Sequence, residues 1–238
     1  MNSAAEVIAY LAGLEARFRA AGDRRAVFVS AYLEISKGIA AALGIGFFKD
    51  DAWTERYMAA FSRLYKAALD AYDEGRRSDV PRAWRVAFDA ARDGTSVVLQ
   101  DLLMGVNAHV NHDLALALAE VGIGPDREVR HADHTAVNQV LKRTTDALQY
   151  RVGMLYAPIL KAFVFAAGRF DEAVATFSVD VAREAAWRKA VLLTDMGPMF
   201  VRTEIDLSSG VLARAILLPT AMNPSLRKAL QSTERGLR

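Results

Sequence analysis

The chain has 238 residues, 53% of them hydrophobic and 24% charged, with 30 Lys+Arg against 28 Asp+Glu. This composition is too apolar for a disordered chain, and a net charge of +2 with interspersed signs offers no surface for nucleic acid. The absence of cysteine excludes structural disulfides, Cys-ligated zinc, iron–sulfur clusters and a cysteine nucleophile.

Alanine-rich segments with three-to-four-residue apolar spacing predict helices over 4–20, 24–43, 51–74, 80–92, 95–121, 133–167, 171–196 and 198–218. The breaks are Ala21-Gly22-Asp23, Gly44-Ile45-Gly46, Gly75, Asp93-Gly94, Gly122 to Asp126, Gly168 and Met196-Gly197-Pro198. Pro158 sits inside a helical run and is expected to kink it, since it lacks a backbone donor. The expectation is one all-α domain over 1–238, a bundle of about seven or eight helices. Met1 to Ala21 lacks the layout of a signal peptide, and no stretch of ~18 apolar residues is free of charge. A cytoplasmic protein with no membrane span is therefore expected, and a homodimer is compatible with these features.

Two helices read as central. In 95–121 one stripe holds Val98, Leu102, Val106, His109, Asp113 and Leu116, and its neighbour holds Leu99, Leu103, Val110, Leu114 and Val121. Together they cover more than half the circumference, so this helix is packed on several sides. A similar stripe runs through Val137, Leu141, Leu148, Val152, Leu155, Ile159 and Phe163.

The four histidines, His109, His112, His131 and His134, all fall near these two helices. His109 and Asp113 are one turn apart in the middle of an apolar stripe. Burying both costs several kcal/mol unless they pair or coordinate something, and such a pair shifts both pKa values as acid–base chemistry requires. A purely structural pair, bonded to each other and to a neighbouring helix, is the plainer alternative. His112 lies about 60° off this face. His134 and Asn138 fall on the apolar face of the second helix, while Asp133 reads equally well as its N-cap. If the segments converge, His109, Asp113, Asp133 and His134 supply enough donors for a divalent metal, although no compact ligand motif is present.

Arg183 and Trp187 are also one turn apart, a guanidinium and an indole suited to an acidic or aromatic ligand. A buried pair of Arg183 with Asp180 beside a core tryptophan is the alternative. Trp53, Tyr57, Phe61, Tyr65, Trp84 and Phe88 lie at helical spacings and read as core. Gly44-Ile45-Gly46 lacks the continuation of a dinucleotide-binding loop, and no P-loop, GxSxG or SxxK occurs.

The segments Asp23 to Phe28, Asp51 to Trp53, Pro81 to Trp84, Leu103 to Leu118, Asp133 to Asn138 and Arg183 to Trp187 occur in an order that resembles domain-of-unknown-function family 5995. The N-A-H-x-N-x-D-L pattern at Asn107 to Leu114 is the most specific part. His112 stands where that pattern has an aromatic residue, often Tyr, and His134 where it has Phe. The resemblance implies an all-helical fold and a site built on Asn107, His109, Asp113, Asp133, Asn138, Arg183 and Trp187.

These readings lead to a cofactor-independent enzyme doing non-redox proton chemistry (a lyase, isomerase, cyclase or hydrolase) on a small, largely apolar molecule, in a setting such as secondary metabolism. His109 would be the acid/base and Asp113 its orienting partner, with Asn107, Asp133, Asn138, Arg183 and Trp187 binding substrate. The alternatives are a divalent-metal hydrolase using His109, Asp113 and Asp133, and a non-catalytic small-molecule-binding or interaction domain.

Overall fold

The structure, a computed structural model, describes residues 1–157 and 179–237, and the regular elements among them are helical. They are α1 (Ala4–Ala21), α2 (Ala26–Ala42), α3 (Asp51–Asp73), α4 (Arg82–Arg92), α5 (Val98–Asn107), α6 (Leu114–Val121), α7 (Arg127–Leu155), α8 (Val179–Met196), α9 (Pro198–Met222) and α10 (Pro224–Gln231). A π-helical turn, Ala108–Asp113, joins α5 to α6 within one continuous helix. The expected kink at Pro158, the break at Gly168 and the apolar positions Ile159 and Phe163 lie outside the described residues.

Local chemistry sets most boundaries. Ser3 caps α1 by accepting from the Glu6 amide, and Gly22 ends it in the left-handed region at φ 68°. Asp50 caps α3 by accepting from Trp53 N. Several boundaries differ from the sequence reading: the helix expected over 133–167 ends at Leu155, α5 starts at Val98 and α9 runs to Met222. Helix α7 begins at Arg127; its first turns are largely polar, so the apolar period that marks a helix in the sequence becomes legible only from 133. Helix α10 was not expected; Asn223 starts it by accepting from Leu226 N at 3.0 Å.

The continuous helix 98–121 divides two apolar clusters. Val98, Met104 and Ala108 belong to the first, with Leu11 and Leu14 of α1, Phe28 and Leu33 of α2, and Trp84 of α4. Val110, Leu114 and Leu118 belong to the second, with Trp53 and Tyr57 of α3, Trp187 of α8 and Ile205 of α9. The π turn therefore sits where the helix passes from one core to the other. Burial of large side chains such as Trp53, Trp84 and Tyr65 stabilises each core by roughly 1.5–3 kcal/mol per residue.

Close approach matters at Gly105, where an added Cβ would lie 2.5 Å from the Phe28 ring. The absence of a side chain there lets α5 settle against α2. Gly105→Ala is expected to lower stability by about 1–3 kcal/mol despite alanine's better helix propensity. Urea denaturation checks this, and an unchanged or raised midpoint would refute it.

The C-terminal stretch is stitched to the start of α5. Buried Arg24 bonds Asp101 through Nε at 2.9 Å and Glu234 through Nη1 at 2.9 Å. The other oxygen of Glu234 accepts from the Val98 amide at 2.6 Å, taking one of the orphan donors at that helix start.

Candidate active site

The π turn gathers a set of polar groups into the centre of the protein. Asp113 is 1% exposed and accepts three hydrogen bonds. Trp84 Nε1–H donates to Oδ2 at 2.9 Å, His109 Nδ1 to the same oxygen at 3.3 Å, and His112 Nδ1 to Oδ1 at 2.8 Å. Burial alone would raise the Asp113 pKa, but the bonds from His109 and His112 outweigh it and hold the carboxyl below its ordinary range. An ionised carboxylate has no proton to give, so both imidazoles must carry theirs on Nδ1.

His109 then presents a bare Nε2. That atom is buried and has no hydrogen-bond partner among the described residues. Around the ring stand Phe61, stacked at 3.4 Å between centroids, and Tyr32, edge-on at 4.3 Å. Phe28, Trp84 and Tyr65 complete an aromatic cage at 5.5, 6.2 and 6.3 Å. Burial pulls the His109 pKa below its ordinary 6.5, more than the Asp113 carboxylate pushes it back up, so the imidazole is neutral near pH 7. The buried Tyr32 hydroxyl makes no hydrogen bond of ordinary geometry among the described residues.

A second polar cluster lies across α3. His134 is 1% exposed; its Nε2–H donates to the Arg183 carbonyl at 3.1 Å, and its Nδ1 accepts from the Tyr57 hydroxyl at 3.2 Å. Burial and the Arg183 charge hold His134 well below 6.5. Arg183 donates through Nε to Asn138 Oδ1 and through Nη2 to the His134 carbonyl, each at 2.6 Å. Trp187 stacks beside His134 and His131 at 5.4 and 4.8 Å. Asp180 pairs with Lys142, so the expected Arg183–Asp180 pair does not form. Arg183 is a buried cation with no carboxylate partner among the described residues.

The two clusters are neighbours through α3, whose Tyr57 and Phe61 are one turn apart. Tyr57 meets His134, and Phe61 meets His109. The Arg183 charge is one of the influences that lower the His109 pKa. His109, Asp113, Arg183, Asn138 and Trp187 thus lie around one aromatic seam.

The remaining expected residues face elsewhere. Asn107 donates to the Ser209 carbonyl at 2.9 Å and accepts from Asn111, which ties α5 to α9. Asp133 does not cap α7, which starts six residues earlier. Its two oxygens accept from the Lys49 and Asp50 amides at 2.7 Å each, so it serves the approach to α3 instead. His131 pairs with Glu184 at the half-exposed rim. His109, Asp113, Asp133 and His134 do not form one group, and no cluster of three or more His, Asp or Glu suited to a metal occurs among the described residues.

Sequence reasoning missed three members. His112, about 60° off the His109 face by α-helical spacing, is nevertheless buried and bonded to Asp113. Trp84 and Tyr32 carry polar atoms into the cage, and no spacing signal separates such aromatics from ordinary core.

A family model described as a family of unknown function, DUF5995, matches residues 4–219. The chain belongs to that family. The match spans every residue of both clusters, so the DUF5995 domain contains the whole candidate site. No curated protein and no solved structure matches the chain.

Proposed function

We propose that this DUF5995 protein is a cofactor-independent enzyme of proton-transfer chemistry, of lyase, isomerase, cyclase or hydrolase type, acting on a small, largely apolar molecule. The observation that carries this reading is the bare Nε2 of His109. A buried acceptor without a partner costs about 1–3 kcal/mol, and Asp113 fixes the tautomer that leaves it so. Such a nitrogen is a general base ready to take a proton from a substrate carbon or hydroxyl. Asp113 steadies the imidazolium that results, with Trp84 and His112 holding the carboxylate in place. The π turn supports the reading, since single π turns in α-helices recur at functional sites.

Arg183 refines the substrate class. A buried guanidinium whose partners among the described residues, the Asn138 amide oxygen, the His134 carbonyl and ring, and Tyr57, include no carboxylate has capacity for an anion, and Trp187 beside it offers an aromatic face. The substrate is then an apolar or aromatic molecule with an acidic end, held by Arg183 and deprotonated by His109.

The test is conversion of metabolites in a soluble extract, followed by liquid chromatography and mass spectrometry. The unaltered protein should consume one carboxylate-bearing species. His109→Gln, shown to be folded by circular dichroism, should slow that conversion by roughly a hundredfold or more. Conversion at an unaltered rate by the variant would refute the assignment. The pH profile adds a sign: kcat/KM should be flat above pH 6.5 and fall at lower pH as His109 takes a proton.

A further inference from the structure

Helix α9 turns one face inward and leaves the other bare. Ile205, Ser209, Gly210 and Ala213 are buried, in a helix that packs on α4, α5 and α8. On the opposite side Phe200 is 88% exposed, Val211 64%, Leu218 53% and Leu207 42%. Glu204 and Arg214 are exposed on the same side. The series Phe200, Glu204, Leu207, Val211, Arg214, Leu218 advances by alternating steps of four and three, the spacing of a seam that packs on another helix. It extends over about 27 Å of helix. An apolar stripe of this length, rimmed by polar residues, marks an interaction surface.

The order of residues along the seam says what fits it. It reads apolar, acidic, apolar, apolar, basic, apolar, and it is the same type of series when reversed. A second copy turned end for end about residue 209 places Leu218 opposite Phe200, Val211 opposite Leu207, and Arg214 opposite Glu204. Every apolar position then meets an apolar one, and every charge meets its opposite, twice over by symmetry. Arg214 makes no ion pair among the described residues. Among the described residues Glu204 has one ion pair, with Lys189 at 3.0 Å, and its carboxylate stays exposed to a second cation. Ser208 and Ala215, also exposed, flank the seam and are small enough to let two helices approach.

We propose that α9 forms the contact of a two-fold symmetric dimer, packed antiparallel against α9 of a second copy. The same helix, over Met199–Met222, is long and apolar enough to cross a membrane by length and composition. Its charges argue for a protein partner: Arg202, Glu204, Asp206 and Arg214 are spread along it, and Asp206 and Glu204 pair with Arg82 and Lys189 of other helices.

The experiment is sedimentation velocity over a series of concentrations, with flotation on phosphatidylglycerol-containing vesicles in parallel. The unaltered chain should sediment at about twice its 26.0 kDa and should not float. Glu204→Arg and Arg214→Glu each set like charges against one another at two places, and each should weaken association by roughly a hundredfold or more. The double variant, Glu204→Arg with Arg214→Glu, should restore the dimer. A monomer at every concentration, a dimer indifferent to the single changes, failure of the double variant to recover, or flotation without self-association would each overturn the proposal. Circular dichroism of all three variants separates loss of contact from loss of fold.

Discussion

Replacing Asp113 with Ala is expected to lower the unfolding free energy by about 3–5 kcal/mol. The carboxylate is the shared acceptor of Trp84, His109 and His112. Its removal leaves three N–H groups without a partner in a dry interior and opens a small void. Asp113→Asn is the informative comparison. It keeps one oxygen and the side-chain shape but turns an NH2 group toward at least one donor, so it should recover only part of the loss. Urea denaturation of the two variants measures both effects. A loss below about 1 kcal/mol for Asp113→Ala would mean that the network adds little to the fold.

Acid should unfold the protein through two neutral histidines. His109 and His134 both have folded-state pKa values depressed below 6.5, chiefly by burial. In the unfolded chain each takes a proton below about pH 6.5, so the unfolded state binds more protons and gains as pH falls. Their contribution is fully present above pH 6.5. It is lost below that pH at up to about 1.4 kcal/mol per pH unit for each histidine, until the folded-state value is reached. Asp101 acts in the opposite sense, because burial pushes its carboxyl up to about 7 in the folded protein. The clean measurement is therefore a difference. Between about pH 6.5 and 5.5, His134→Gln should lose stability less steeply than the unaltered chain by about one proton's worth of slope. Equal slopes would show that His134 is charged in the fold.

The helical frame was legible because alanine-rich apolar periodicity is a local signal, and each burial stripe follows from it. The stripe carrying His109 and Asp113 was read correctly as buried, and their contact is a matter of one helical turn. What spacing could not reveal is how that turn is wound. Ala108–Asp113 is wound as a π turn, and His112 within it is buried against Asp113 although its spacing sets it off the His109 face. Asp133 illustrates a different limit. Its chemistry was anticipated, a carboxylate taking orphan amides, but the amides belong to Lys49 and Asp50, more than eighty positions away. Arg183 also found partners that its own helix does not supply, Asn138 and the His134 carbonyl in place of Asp180. Long-range choices of this kind depend on which helices meet, and a single helix's pattern does not encode that.

The bond between Arg24 and Glu234 has a consequence for the birth of the protein. Arg24 leaves the ribosome early, in the loop that starts α2, yet the glutamate that completes its neutralisation follows 210 positions later. At about 5–20 residues per second, that interval is roughly 10–40 s. Asp101 follows 77 positions after Arg24, and from then until Glu234 is made both the guanidinium and the first amide of α5 lack the glutamate. The helices before Glu234 can pair while translation continues, but the interior around Arg24 closes only once Glu234 has been made. A nascent chain stalled before Glu234 would therefore leave the Arg24 guanidinium and the first amide of α5 without that carboxylate.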